Sequence, residues 1–222
     1  MSTNSTPRTG GRLRNEEAHR SVLEATAALL VENGYGALTI EGVAKRANVA
    51  KSTVYRWWKT KPELVMDASF HAPAPDPAPD PGSAPAQAPA PAPEPDTGSL
   101  AGDLTAFLAA LYEAAADPVR ARALTGLAAE AQLDPGSAAP FRAWARDRRE
   151  VVLALLARAI AREEVPAATD GERAADLVLG PFWYRLLVMG APPARAEGAP
   201  HAAAVLHGLV GSKRRETSEG GK

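Results

Sequence analysis

The chain has 222 residues, enough for one large or two small domains, and its formal net charge is −1. It contains no cysteine, which excludes disulfides, thiol catalysis and cysteine-ligated zinc. The sequence has no run approaching the ~18 apolar residues of a membrane span and no signal-peptide core at its start, so we expect a soluble, cytoplasmic protein without a membrane partner.

Composition divides the chain into five zones. They are a flexible basic arm over residues 1–14, a compact head over 15–70, a disordered Pro/Ala-rich loop over 71–99, a helical body over 100–211 and a disordered tail over 212–222. Ten of the 29 residues in the loop zone are proline, which excludes an ordinary helix or strand there. From Arg8 to Met66, ten Lys and Arg residues stand against six acidic ones, so the head is basic although the chain is nearly neutral. This asymmetry is expected when one end of a protein meets a polyanion.

The compact zones predict an all-α fold. They are rich in Ala, Leu, Arg and Glu, which favour helix, and they lack the alternating pattern of strands. We predict helices over residues 16–33, 39–46, 50–57, 61–70, 100–116, 118–132, 137–163, 172–190 and 199–211. The first three would form an N-terminal helix-turn-helix domain, the fourth would connect it, and the others would form a ligand-binding and dimerisation domain.

The end of the first helix and the next two short helices carry local signals for a tight turn. Gly34 follows the first helix, where a left-handed terminating residue is favoured. Thr39 is placed to cap the second helix. Asn48, between the second and third helices, is a residue type that tolerates a left-handed conformation. Two short helices joined in this way predict a helix-turn-helix.

The third helix carries hydrogen-bond donors on most of its surface. These donors are Lys51, Ser52, Thr53, Tyr55, Arg56 and Trp57. Val54 and Trp58, four residues apart, would pack the helix against the rest of the head. Such a face suits a DNA major groove, which is lined with acceptors and flanked by phosphates.

Residues 38–65, LTIEGVAKRANVAKSTVYRWWKTKPELV, resemble the DNA-binding signature of the TetR family. The positions that agree are Thr39, the turn Ala47-Asn48-Val49, Tyr55, the pair Trp57-Trp58, and Lys61 through Leu64. The segments DTGSLAGDL, residues 96–104, and GPFWYRLLVMG, residues 180–190, resemble one C-terminal subgroup of the same family. The resemblance implies a ligand-responsive regulator, usually a repressor released from a pseudo-palindromic operator by a small molecule.

The resemblance also implies roles for individual residues. Thr39, Tyr55, Trp57 and Lys61 would contact phosphates. Lys51, Ser52, Thr53 and Arg56 would face base edges. Lys51 is the best candidate to read a guanine, and a phosphate contact is its alternative role.

In the family the body encloses a ligand cavity and dimerises through its last two helices. Apolar residues that could line a cavity here, or equally fill a core, are Phe107, Leu111, Leu127, Phe141, Trp144 and Phe182. Candidates for the dimer interface are Trp183, Leu187, Ala202, Val205, Leu206 and Leu209. The last four form a stripe on the final helix that could pack on its own body or on a second copy of the chain. We expect a largely apolar effector, a kink at Pro181, and a solvated helix face over ARDRRE, residues 145–150.

Other classes of function have less support. The sequence contains no catalytic motif, and its four histidines lack metal-ligand spacing, so we expect no enzyme activity, metal or cofactor. One alternative is a helical small-molecule-binding protein without specific DNA binding, which would show no salt-dependent affinity for duplex DNA. A second is an α-helical enzyme, which would need an acid and base pair in its pocket. The expected partners are an operator duplex, a second copy of the chain and a small-molecule effector.

Overall fold

The computed structural model describes residues 9–70 and 94–211, with side chains over residues 15–70 and 94–209. Every regular element in these ranges is a helix, which confirms the all-α prediction. The α-helices are α1 Thr9–Ala37, α2 Ile40–Arg46, α3 Lys51–Trp57, α4 Lys61–Phe70, α5 Leu100–Ala116, α6 Pro118–Leu133, α7 Ala139–Ala161, α8 Gly171–Trp183 and α9 Gly198–Gly211. None of these helices has the length and apolar character needed to cross a membrane.

The predicted flexible regions fall mostly outside the described residues. This applies to residues 1–8, 71–93 and 212–222 of the arm, the loop and the tail. The last six residues of the predicted arm differ from expectation, because α1 begins at Thr9 and includes them.

The described chain forms two compact units that do not follow the predicted order of domains. The first contains α1 to α4 together with Arg122–Phe141. The second contains α5, residues 94–99, 118–121 and 142–161, α8 and α9. Most of α6, predicted as part of the body, therefore groups with the head.

The helices of the head share one apolar core. Its fully buried members are Val22, Leu30, Val43, Val54, Trp58, Leu64 and Val65. The indole Nε1 of Trp58 donates to the Asp67 carboxylate at 2.6 Å, so the polar atom of this buried ring is satisfied. Val54 and Trp58 thus anchor α3, as its sequence predicts.

Local hydrogen bonds set the angle between α2 and α3. Thr39 caps α2, since its Oγ1 accepts from the Gly42 N–H at 3.1 Å. Asn48 has a φ of 54°, the left-handed conformation predicted for it. The Val49 N–H reaches back to the Ala44 carbonyl at 3.0 Å, which closes the helix end around Asn48. Helix α2 therefore ends sharply at Arg46, and α3 begins at Lys51 after four intervening residues.

Helix α4 starts with a capping box that sequence reasoning missed. The Thr60 Oγ1 accepts from the Glu63 N–H at 3.3 Å, and the Glu63 carboxylate accepts from the Thr60 N–H at 3.3 Å. The same carboxylate accepts from the Lys59 N–H at 2.7 Å. The signal was present in the sequence, because Thr60 and Glu63 have the spacing of this motif.

The DTGSLAGDL segment forms the cap of α5. Ser99 Oγ accepts from the Gly102 N–H at 3.2 Å. The buried Asp103 carboxylate accepts from the Thr97 N–H at 2.6 Å and from the Thr97 hydroxyl at 2.8 Å. Burial alone would raise the pKa of Asp103, but the Thr97 hydrogen bonds and the nearby Arg162 guanidinium hold this pKa below its usual range. The segment therefore holds the chain at the entry to α5.

Pro181 lies inside α8, where the sequence predicts a kink. A proline at this position cannot donate to the Leu177 carbonyl, one turn earlier. The His201 Nε2 approaches that carbonyl at 3.3 Å. Since a carbonyl only accepts, Nε2 is the donor in this contact, and Nδ1 shares a hydrogen bond with the buried Tyr112 hydroxyl. Beyond Trp183 the chain continues as a π-helical turn, Tyr184–Val188.

Helix α9 packs closely on α5 in the same protomer. A Cβ placed on Gly198 would lie 2.9 Å from the Ala109 backbone nitrogen, so only glycine fits this approach. Ala202 is 1% exposed and Val205 is 6% exposed. The side chains of these two residues are therefore buried within their own chain, which is the alternative that the sequence left open to a dimer interface.

Candidate nucleic-acid interface and body pocket

Helix α3 presents its predicted donors on the surface of the head. Lys51, Ser52, Tyr55 and Arg56 are exposed, while Thr53 and Trp57 are half-buried. The opposite side of α3 is fixed by the buried Val54 and Trp58 described above. The helix therefore combines a rigid attachment with an outward polar face, which is what base readout requires.

The ammonium of Lys51 is engaged by an acidic neighbour. It forms an ion pair with the Glu41 carboxylate on α2 and lies 5.5 Å from the centre of the Tyr55 ring. The pair raises the pKa of Lys51 and lowers the pKa of Glu41, mainly through the shared hydrogen bond. Both side chains are exposed, so water or a polyanion can compete for the pair.

The predicted phosphate contacts have different surroundings. Thr39 is exposed, and its hydroxyl keeps its own proton available while it accepts from Gly42. Trp57 stacks edge-on against His19 of α1, with ring centroids 5.2 Å apart. His19 also lies 4.8 Å from the Trp58 ring. Sequence reasoning missed His19, although it precedes the buried Val22 by three residues on the same helix face.

The ammonium of Lys61 has interaction partners within the first unit. Its ammonium donates to the Tyr35 carbonyl at 3.2 Å and lies 4.0 Å from the centre of the Tyr35 ring. The Glu130 carboxylate on α6 is 3.8 Å away. Lys61 therefore has partners inside the first unit, and its phosphate contact stays a prediction.

A pocket lies between α5, α7 and α8 in the second unit. The space among its lining atoms is about 200 Å³ when open solvent is counted, but the cavity itself is only about 10 Å³, room for about one water molecule. Its lining residues are Leu111, Trp144, Ala145, Arg148, Leu179, Phe182 and Trp183. The walls are thus largely apolar and aromatic, with one cation.

Three of the six predicted pocket residues line this pocket, namely Leu111, Trp144 and Phe182. The other three do not line this pocket. Phe107 is buried in the core of the second unit, while Leu127 and Phe141 belong to the first unit. Trp183, predicted for the dimer interface, lines the pocket instead.

Arg148 is the pocket residue that the sequence analysis misassigned. Residues 145–150 were expected to be a solvated face, but the Arg148 side chain is only 14% exposed. Its guanidinium lies 4.2 Å from the centre of the Trp144 ring. The signal was the spacing, because a residue four positions after a buried tryptophan shares its side of the helix.

The end of α8 leaves an apolar face exposed. Leu177, Tyr184, Leu187, Val188 and Met189 are 43–68% exposed. Three further residues predicted for the dimer interface lie in this region of the chain or on α9. Leu187 is exposed, whereas Leu206 and Leu209 of α9 are half-buried. We call the five exposed residues the α8 face.

Models of two protein families match the chain. Residues 22–68 match the family described as bacterial regulatory proteins, tetR family. Residues 94–205 match the tetracyclin repressor-like C-terminal domain. The two matches coincide with the head helices and with the described part of the body.

Individual proteins show the same similarity. The HTH-type transcriptional regulator YdeS of Bacillus subtilis is 33% identical over 186 residues, which cover 81% of this chain and 83% of that protein. The HTH-type transcriptional repressor KstR of Rhodococcus jostii is 40% identical over 53 residues, which cover 24% of this chain and 25% of that protein. The crystal structure of the TetR family transcription regulator SCO0332 superposes with a TM-score of 0.61 at 29% identity, covering 87% of this chain and 98% of that one.

Proposed function

The chain belongs to the TetR family of ligand-responsive, DNA-binding transcriptional regulators, and we propose that it acts as a homodimeric repressor of a pseudo-palindromic operator. A small molecule bound in the body would release it from DNA. A helical small-molecule-binding protein without specific DNA binding is not favoured, because the head matches the tetR family model over residues 22–68.

One observation carries the proposal for DNA binding. Helix α3 exposes a polar face while its buried side is locked by Val54 and Trp58. A helix held in this way can enter a major groove without losing its position on the head.

We assign direct base contacts to Lys51, Ser52, Thr53 and Arg56. Thr39, Tyr55 and Trp57 would contact phosphates and set the position of α3 on the duplex. Lys61 is also a candidate for a phosphate contact, although its ammonium already donates to the Tyr35 carbonyl and lies 3.8 Å from the Glu130 carboxylate.

Operator binding requires a second copy of the chain. Two recognition helices separated by one DNA turn, roughly 34–36 Å, would read the two half-sites of a symmetric sequence. The α8 face exposes five large apolar side chains and includes the predicted interface residue Leu187, so we place the interface there.

We place the effector in the pocket of the second unit. An effector that fits a second conformation better would shift the population toward it. If the recognition helices of that conformation have the wrong separation, DNA is released.

Selection of random duplexes with the purified chain tests the proposed function. We expect a symmetric sequence to be enriched, with an affinity that falls linearly with the logarithm of salt concentration. Lys51→Ala should weaken binding to that sequence by about 1–3 kcal/mol and relax the preference at one position in each half-site.

Arg142→Ala is the matched control, since it removes an exposed cation from α7 of the second unit. It should leave operator affinity unchanged. Recovery of no enriched sequence, or of sequences without symmetry, would contradict the proposal.

A further inference from the structure

We propose that Glu130 of α6 is a positioning residue for Lys61, and that it keeps part of the Lys61 charge from the DNA backbone. This inference rests on the proposed function, because it concerns the phosphate contact that is predicted for Lys61. Glu130 lies outside residues 22–68, which match the tetR family model. Binding to DNA would therefore depend on a residue of α6 as well as on the helices of the head.

Helix α6 contacts the head through three residues that are spaced four apart. The Arg122 guanidinium donates to a main-chain carbonyl of α1. One turn later, Gly126 lies so close to the Tyr35 side chain that no Cβ fits between them. After another turn, the Glu130 carboxylate lies 3.8 Å from the Lys61 ammonium. Residues at this spacing share one face of a helix, so the three contacts form a row that holds α6 against the ends of α1 and α4.

The Lys61 ammonium and the Glu130 carboxylate form a partly shielded pair within the first unit. Their side chains are only 25% and 26% exposed. Water and salt therefore screen this pair less than they screen an ion pair on the open surface. Because a quarter of the Lys61 side chain faces solvent, a phosphate can still approach it.

Tyr35 keeps the Lys61 ammonium beside Glu130. The Tyr35 carbonyl accepts from the ammonium at 3.2 Å, and the centre of the Tyr35 ring lies 4.0 Å from it. These contacts hold the positive charge at a fixed distance from the carboxylate. Glu130 then cancels part of the attraction between Lys61 and a phosphate, and its own charge repels the phosphate.

A double-mutant cycle on the full chain tests the inference. The four proteins are the wild type, Glu130→Gln, Lys61→Gln and the double variant, and fluorescence anisotropy measures their affinity for a labelled duplex at a series of salt concentrations. We expect Glu130→Gln to bind several-fold more tightly and with a steeper salt dependence, because the Lys61 ammonium is no longer neutralised. Lys61→Gln should weaken binding, and the further change Glu130→Gln should then have little effect.

Glu24→Gln is the matched control, because it removes the same charge from an exposed position on α1 of the same unit. Any effect of this substitution should be equal in the presence and in the absence of Lys61. Glu130→Ala repeats the comparison with a residue that favours helix, in case the amide of Glu130→Gln disturbs the packing of α6. Circular dichroism verifies that each variant is folded.

Two results would overturn the inference. The first is a Glu130→Gln protein whose affinity and salt dependence match those of the wild type. The second is a gain in affinity that is equally large when Lys61 is absent, because Glu130 would then act only through net charge. Failure of all the proteins to bind any duplex would reject the proposed function together with the inference, whereas binding without coupling between Glu130 and Lys61 would reject the inference alone.

Discussion

In the head, a single neighbouring residue affects whether the positive charge of Lys51 on α3 is available to DNA. Lys51, the predicted base reader, is held by Glu41 in the free protein. Binding of Lys51 to a base or a phosphate would have to break this pair. Glu41 therefore opposes DNA binding, both by holding Lys51 and by placing a negative charge beside the polyanion.

Glu41→Gln should strengthen binding to DNA. Because Lys51 is released and one negative charge is removed, we expect a several-fold higher affinity for any duplex and a steeper salt dependence. Fluorescence anisotropy with a labelled duplex at a series of salt concentrations measures both quantities.

Glu32→Gln is the control, since Glu32 forms an exposed ion pair with Arg46 in the same unit. It changes the net charge equally but does not release a residue of α3. Equal effects of the two substitutions would show that Glu41 acts only through net charge.

Helix α6 contacts the head through a position that needs glycine. A Cβ at Gly126 would lie 2.1 Å from the Tyr35 Cβ and 2.2 Å from its Cγ. The Tyr35 ring in turn supports the Lys61 ammonium. Burial, and then the nearby Glu130 carboxylate, raise the pKa of Tyr35 well above its usual value. The close approach of Gly126 to Tyr35 therefore helps to position the polar contact between α4 and α6.

Gly126→Ala should destabilise the protein. Alanine favours a helix by about 0.8–1.0 kcal/mol relative to glycine. Overpacking against Tyr35 costs about 1–3 kcal/mol, so the clash outweighs this gain. We expect a melting temperature that is lower by a few degrees, measured by circular dichroism.

Gly208→Ala makes the same change in α9, where the added Cβ meets no described atom within 4 Å. It should raise the melting temperature, because only the helix preference operates. A Gly126→Ala protein as stable as the Gly208→Ala protein would contradict the close contact with Tyr35.

At the scale of the whole molecule, recognition of a symmetric operator depends on pairing two heads. The α8 face is the surface proposed for this pairing, whereas Ala202 and Val205 are buried inside the protomer. Val188 is 68% exposed and is the most exposed member of the α8 face.

Val188→Glu should convert the dimer into a monomer, because a charge buried in an apolar interface is not compensated. Sedimentation analysis would report the mass, and affinity for the symmetric operator should fall with it. Leu133→Glu is the control, since Leu133 is 86% exposed on α6 and lies outside the α8 face. A Val188→Glu protein that remains a dimer would exclude the α8 face as the interface.

The amino-acid sequence by itself determined the features that depend on near neighbours. These are the helices and the turn before α3, where Thr39 caps α2 and Asn48 adopts the predicted left-handed conformation. Gly34 has a φ of 75° and a ψ of 171°, so it interrupts α1, which continues to Ala37, and does not form the predicted left-handed cap. The sequence also determined the buried side of α3, because Val54 and Trp58 lie one turn apart. Such features follow from hydrogen bonds and spacing within a few residues, so one sequence is sufficient to predict them.

Only the tertiary structure determined which residues, distant in the sequence, each side chain contacts. The ammonium of Lys61, predicted to contact a phosphate, donates to the carbonyl of Tyr35, which lies 26 residues away in the sequence. Arg148, predicted on a solvated face, lines the pocket. Val205, predicted as an interface candidate, is buried in its own chain. The physical reason is that helical spacing defines which residues share a face, but packing between distant helices determines whether that face meets solvent, a cavity or the core.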